Sequence, residues 1–477
     1  MSEVATAGMD QGVSTGRRLI YVIIALALFA LFQWVLPVPA GLERIAWSSV
    51  GILLACVVLW VTQVVPFIVS VIFIIFMLPM CGVFTLAEIY PMSMTSVVFI
   101  CLFSFFCSAA VMATPIPYRV AGVALRWAKD NPRKLIVGFT LATAFLSMFI
   151  SDLAAAAIFI GIGETILLAN GDEKQKSEFG KAITVATGAG AAIGGVGTPI
   201  GNSLNVLSMN MVNSFFEGAN VTFAGWCIMG IPVALGGAAL AGLAIGRIYK
   251  CDPIKPEAVE VARNLTSEFG KMGWKEYKVI IWLVVIFAIL IATTWVPQIQ
   301  LVLVMFAGIL IGFIPGIDFC TKEEYYSSIS WDVVMMIMGV TILSNAIVGT
   351  GVANWFVDAV LGGANTWPML LSVFVMCVVT AILHVAIPSG PPCASIAVPL
   401  MLALAANTGV APAVVAMIGG ILGGVTTVIP IDLVMLIPYE KGWISMSDWI
   451  KKAWVSTAIL IVICTLWLPL VAPFFSY

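Results

Sequence analysis

The chain has 477 residues, 61% hydrophobic and only 10% charged, with a mean hydropathy of +1.10 and a formal net charge of −2. A soluble globule carries about 25% charged residues to clothe its surface, so this composition excludes a water-soluble fold and leaves lipid as the solvent. The slight negative charge argues against a polyanionic partner, and no nucleic-acid binding is expected.

In chain order, a polar tail (1–18) ends on Arg17-Arg18 and precedes a long apolar run over 19–36. That run is too long for a signal-peptide core and lacks a small-residue cleavage site, so it is read as a retained first span. Crossing a hydrocarbon core of roughly 30 Å takes about 20 apolar residues. By that measure further spans fall at 46–66, 67–83, 95–114, 181–215, 223–248, 279–296, 299–317, 332–350, 410–438 and 453–473. Two stretches, 135–169 and 369–406, are too long for one helix and carry polar breaks midway. Each reads as a hairpin that enters and leaves from one side. The expected fold is an all-α polytopic membrane protein with about 11 transmembrane helices and two re-entrant helical hairpins.

Basic residues orient this topology. With the tail in the cytoplasm and both hairpins re-entrant, only Arg44 of the 22 Lys and Arg falls outside. The C-terminus is then outside, and a plasma-membrane location is expected. A polar linker over 249–278 divides a first part (19–248, the first span plus one half) from a second half (279–477).

The halves echo each other. TAFLSMFISD (143–152) resembles TAILHVAIPSG (380–390) at offsets of 237 to 238, and GGVGT (194–198) resembles GGVTT (423–427) at an offset of 229. An odd number of crossings between them makes this an inverted repeat, the usual frame of a secondary transporter with its site near the midplane.

Bare backbone is tolerated in a membrane only where protein or water covers it. Four breaks therefore become candidate binding loops: Ser151-Asp152, GGVGTPIGNSLN (194–205), PSGPP (388–392) and GGVTTVIPID (423–432). Helix N-termini at such breaks suit an anion, and free carbonyls suit a cation such as Na⁺. Asp152 and Asp432 occupy breaks in opposite halves, and no Lys or Arg falls in the interior of a span to pair with them. A buried acid must be paired, metal-bound or protonated. Na⁺ or H⁺ is the natural partner, the alternative being a carboxylate tied to backbone N–H groups.

His384, the one histidine, rules against His-based metal centres and Ser-His triads. It is read as a packed, hydrogen-bonded residue, with proton sensing as the alternative. The ten cysteines form no C-x-x-C pair and read as small apolar packing residues. With no nucleophile and base and no metal cluster, neither an enzyme nor a cofactor is expected.

Several strings, in order along residues 46–470, resemble the divalent anion/sodium symporter family. VLWVTQVVPF (58–67) is similar to its W-x-T-E-x-x-P segment, with Gln63 in place of Glu. SMFISDLAAAA (147–157) is similar to its first hairpin tip, and GGVGTPIGNSLN to its G-G-x-G-T-x-I-G-x-P-P-N motif. SWDVVMMIMGVTILSNAIVGTGVANWF (330–356) and GWISMSDWIKKAW (442–454) resemble its later segments.

The resemblance implies a homodimer in which a mobile transport domain moves, elevator-fashion, against a fixed scaffold, carrying carboxylates or sulfate with Na⁺. Carried over to matching positions, it implies substrate contacts at Ser151, Asp152, Leu153, Thr198, Asn202, Ser389, Gly390, Pro391 and Pro430. It places Na⁺ near Ser151, Asp152, Gly197, Gly201, Asn205, Ser389, Thr426, Thr427 and Asp432. The family's S-N-T tips read here as Ser151-Asp152-Leu153 and Ser389-Gly390-Pro391, which removes amide donors and adds one acid, with Asp432 a second in the break beyond. The expected function is cation-coupled uptake of small anions such as carboxylates. Anion exchange, or Na⁺/H⁺ antiport through Asp152 and Asp432, are the alternatives.

Overall fold

The computed structural model describes residues 14–472 except 217, 297, 362–366 and 388. Most of the expected polar tail, and Pro388 of the second tip, thus lie outside the described residues. The regular elements are helices: α1 (Thr15–Ala30, continued by a π-helical turn to Val35), α2 (Arg44–Thr62), α3 (Phe67–Met80), α4 (Leu86–Ser93), α5 (Ser96–Met112), α6 (Ile116–Ala128), α7 (Pro132–Ser147), α8 (Asp152–Asn170), α9 (Glu178–Gly195), α10 (Ser203–Phe215) and α11 (Phe223–Ile248). Beyond the linker come α12 (Pro256–Ser267), α13 (Trp274–Ala292), α14 (Leu301–Gly312), α15 (Lys322–Ser328), α16 (Trp331–Gly349), α17 (Val352–Leu361), α18 (Met369–Ala386), α19 (Gly390–Thr408), α20 (Pro412–Ile421), α21 (Leu433–Tyr439), α22 (Met446–Lys452) and α23 (Trp454–Val471). Among the described residues, nine helical stretches are long and apolar enough to cross a bilayer, and three shorter apolar helices accompany them.

Where the chain breaks, local chemistry explains it. The stretch expected as one span over 181–215 is two helices, α9 and α10, separated at 196–202. Pro199 brings no N–H to a continuing ladder, and the Asn202 side chain accepts from Leu204 N–H at 2.8 Å, starting a new helix. The stretch over 410–438 divides likewise into α20 and α21, with Pro430 in the gap and the Asp432 side chain capping Val434 N–H at 3.0 Å. The span expected over 46–66 stops at Thr62, because Gln63 turns to φ 48° and Pro66 follows.

The order helix, tip, helix, helix, break, helix occurs twice. The starts of α18, α19, α20 and α21 follow those of α7, α8, α9 and α10 by 237, 238, 234 and 230 residues (369−132, 390−152, 412−178, 433−203). Even the stops match: α8 ends on Gly171 at φ +76° and α19 on Gly409 at φ +68°, left-handed positions 238 residues apart.

Helix α9 is the buried centre of the first half, packed by α7, α8 and α11. Contact is at backbone level: a Cβ on Gly190 would come within 2.6 Å of the Thr140 carbonyl, and one on Gly194 would collide with the backbone of Ala144. Ion pairs tie this unit to the second half. Lys181 at the start of α9 lies 3.0 Å from both Glu178 and Asp448, and Lys452 lies 2.8 Å from Glu178. Glu164 takes Lys174 and Lys441 at 3.2 and 3.1 Å. The linker is held too: α12 packs on α6 and α8, and Arg119 of α6 forms a two-point ion pair with Glu276 at the head of α13.

Candidate functional site

The four breaks meet. At the first tip, Ser151 precedes α8 and its N–H donates to Ser108 Oγ of α5 at 2.6 Å. Asp152, in the first turn of α8, is 7% exposed. Its Oδ1 accepts from Leu153 N–H at 2.9 Å, and its Oδ2 accepts from Asn202 Nδ2 at 2.7 Å. Asn202 belongs to the first break, so one side chain joins tip to break.

Within that break Thr198 Oγ1 donates to the Met148 carbonyl (2.6 Å) and accepts from Gly201 N–H (3.2 Å). Gly201 is wedged in: a Cβ there would lie 2.6 Å from the Gly195 carbonyl and 2.7 Å from that of Ser147. Asn205 Nδ2 donates to the Gly195 and Thr198 carbonyls, both at 2.8 Å. Its Oδ1 is buried without a hydrogen-bond partner. Gly197 packs against Met148.

Leu204 carries the contact across to the second half. Its Cδ2 lies 2.8 Å from the Cβ position of Gly390 at the second tip and 2.7 Å from that of Gly424 in the second break. No residue larger than glycine fits either position without displacing Leu204. Ser389 and Pro391 are half-buried beside Gly390, as Leu153 is beside Asp152, and Ser389 Oγ lies 3.4 Å from Met336 Sδ of α16.

The second break is tied differently. Thr426 Oγ1 is hydrogen-bonded to His384 Nδ1 at 2.9 Å. Thr427 Oγ1 donates to the Ala453 carbonyl at 2.6 Å and lies 3.0 Å from Thr457 Oγ1, while its own carbonyl accepts from Trp449 Nε1 at 2.8 Å. Pro430 is buried, and Asp432 Oδ2 lies 3.7 Å from His384 Nε2, longer than a hydrogen bond. Among the described residues neither Asp152 nor Asp432 has a Lys or Arg within 4.0 Å.

The sequence-derived residues therefore divide in two. Asp152, Thr198, Gly201, Asn202 and Asn205 form one hydrogen-bonded knot that reaches Gly390 and Gly424 through Leu204. Thr426, Thr427 and Asp432 form a second knot around His384 and α22–α23. Ser108 and Thr457 were not singled out by sequence, and nothing local marks them, since each is a common residue inside an apolar helix; Leu204 lies in the string 194–205 but was not picked out within it. The first knot offers hard oxygen donors, a carboxylate, an unpartnered amide oxygen and crowded carbonyls, which fit a small hard cation.

An apolar helical bundle in which two matched sets of broken helices meet through the break residue Leu204 is the architecture of a polytopic membrane transporter. The citrate transporter family model matches residues 57–420, and the chain belongs to that family. The likeness to divalent anion/sodium symporters extends to individual relatives. The sodium-dependent dicarboxylate transporter SdcS of Staphylococcus saprophyticus is 28% identical over 326 residues, 62% of this chain and 61% of that protein. SdcS of Staphylococcus aureus (strain USA300) is 25% identical over 363 residues, covering 69% and 68%. This chain thus spans about three fifths of the length of the first relative. The crystal structure of the Alcanivorax borkumensis YdaH transporter, at 14% identity, shares the fold with a TM-score of 0.53 over 79% of this chain and 85% of that one.

Proposed function

We propose that the chain is a secondary active transporter that takes up a small carboxylate-bearing anion together with Na⁺. The observation that carries this reading is the convergence of helix starts. Helix α8 begins at Asp152, which is bonded to Asn202 at the head of α10, and Leu204 in the first turn of α10 reaches Gly390 at the head of α19. Helix N-termini carry partial positive charge, which suits a carboxylate. The oxygen-rich knot of Asp152, Gly201 and Asn205, with Ser151 and Gly197 beside it, takes the cation.

The solute then sits between the tips, against Ser151, Asp152, Leu153, Thr198 and Asn202 on one side and Ser389, Gly390, Pro391 and Pro430 on the other. Cation precedes anion in this scheme. Asp152 repels a carboxylate until Na⁺ offsets it, since unit charges about 4 Å apart interact by several kcal/mol at an effective dielectric near 20. The names of the relatives, sodium-dependent dicarboxylate transporters, support both substrates.

The same reading makes 135–169 and 369–406 re-entrant hairpins of an inverted repeat, with halves 19–248 and 279–477 around a cytoplasmic linker, 249–278. The N-terminus is cytoplasmic, the C-terminus outside, and the location is the plasma membrane. Two copies associate through a scaffold while the paired tips move as an elevator.

The test is uptake of radiolabelled di- and tricarboxylates into proteoliposomes. An inward Na⁺ gradient drives accumulation. Uptake that requires only internal carboxylate makes the protein an exchanger, and Na⁺-dependent ΔpH changes without organic solute make it an antiporter.

A further inference from the structure

The two breaks follow one plan but do not offer the same chemistry. At the 230-residue offset between the starts of α10 and α21, Asn202 corresponds to Asp432, each capping the N–H two residues on, and Asn205 corresponds to Met435 (432−202, 435−205). The unpartnered amide oxygen of Asn205 thus has an apolar counterpart. At the offset of 237, the residue matching Ser147 is His384, and at 229 the residue matching Gly197 is Thr426 (384−147, 426−197). Two small residues of the first half become a large pair in the second, bonded to each other at 2.9 Å.

The oxygens that remain in the second break are committed. Thr427 Oγ1 is spent on Ala453 and Thr457, Thr426 Oγ1 on His384, and Asp432 Oδ1 on Val434 N–H. His384 is 1% exposed, and its Nε2 has no hydrogen-bond partner while facing Asp432 Oδ2 at 3.7 Å. With Thr426 O–H donating to Nδ1, the ring proton sits on Nε2 and points at the carboxylate. The opposite tautomer would set a lone pair against it. The imidazole edge thus stands beside Asp432, where a cation would have to bind.

We propose that His384 fills the second break in place of a cation, so that this transporter carries a single Na⁺ per cycle, bound at the first break. The twofold plan alone predicts two sites. Histidine in place of Ser147 and methionine in place of Asn205 remove one, and Asp432 becomes a fixed carboxylate held by Val434 N–H and faced by the imidazole edge. This inference rests on the Na⁺-coupled reading above.

The experiment is a Na⁺ titration of the full-length protein in detergent, read as thermal stabilisation, alongside the Na⁺ dependence of carboxylate uptake and the ²²Na-to-solute flux ratio in proteoliposomes. The expected result is a Hill coefficient of one and a flux ratio of one. Asp152→Asn abolishes the Na⁺ stabilisation, whereas Asp432→Asn and His384→Asn leave the half-saturating Na⁺ concentration within about threefold, less than 1 kcal/mol of binding energy. A Hill coefficient or flux ratio of two overturns the single-cation assignment while leaving Na⁺ coupling intact. So does residual Na⁺ stabilisation in Asp152→Asn that disappears when Asp432→Asn is added. Absence of any Na⁺ response in wild type overturns both this inference and the coupled reading beneath it.

Discussion

The Asp152 carboxylate accepts a 2.7 Å hydrogen bond from the Asn202 amide, and that contact joins a hairpin tip to a broken helix 50 residues later in the chain. The acid has no basic partner within 4.0 Å among the described residues, so its charge is balanced by amide and N–H dipoles alone. A buried carboxylate so placed is costly until a cation arrives. On the proposed Na⁺-coupled reading the position stores binding energy for an ion, and two predictions start from it.

Asp152→Asn keeps the volume of the side chain and removes the charge. In Na⁺-free buffer the variant melts at the wild-type temperature or higher, because an uncompensated buried charge is gone. Its stabilisation by Na⁺ is lost, a mass-action effect that in wild type grows with the ratio of free Na⁺ to Kd. Differential scanning fluorimetry with and without Na⁺, at constant ionic strength, reads both.

Asn205→Leu removes two hydrogen bonds, to the Gly195 and Thr198 carbonyls, along with the unpartnered Oδ1. Two buried carbonyls left without donors cost about 2–5 kcal/mol. The melting temperature falls in Na⁺-free buffer as well, which separates this variant from Asp152→Asn. Half-saturating Na⁺ for uptake rises at least tenfold, about 1.4 kcal/mol.

Gly194→Ala tests the packing that holds the break in place. The added methyl meets the Ala144 backbone, which cannot swing aside as a side chain does, and overpacking of this kind costs about 1–3 kcal/mol. Gly161→Ala, on α8 where a Cβ meets nothing within 4 Å, is the matched control and leaves the melting temperature unchanged or raises it, since alanine favours the helix by about 0.5–1 kcal/mol. Equal melting temperatures for the two variants would contradict the close approach of α7 and α9.

Lys181→Met removes a lysine shared by Glu178 and Asp448, whose side chains are 34% and 32% exposed. Exposure and salt screen such pairs, and Lys452 still holds Glu178, so the loss is only about 1 kcal/mol. The variant's deficit shrinks as choline chloride is raised in Na⁺-free buffer, measured by thermal melts.

Much of this fold is legible in the sequence, and the reasons are specific. The matched strings at 143–152 and 380–390, and at 194–198 and 423–427, mark the tips and breaks because a membrane tolerates polar, Gly- and Pro-rich segments only where they are covered. The same signals locate Asp152 and Asn202 but not their mutual bond, which depends on how α8 and α10 approach each other.

What escapes the sequence is which oxygens are already spent. Thr426 and Thr427 look like free donors in the string GGVTT, yet one is bonded to His384 and the other to Ala453. Hydropathy alone runs straight through 181–215, because Gly, Ile and Val keep the break apolar on average, and only the Gly- and Pro-rich string at 194–205 marks the division into two helices.

The proposed pocket between the tips is tested most directly by solvent labelling at Ser151 and Ser389. In Ser151→Cys and Ser389→Cys variants, with wild type as the background for the ten native cysteines, the account predicts reaction with a charged methanethiosulfonate reagent. Na⁺ and a dicarboxylate together slow the reaction at both positions more than either alone. Labelling no faster than background at both positions, or labelling that ligand leaves unchanged, would contradict it.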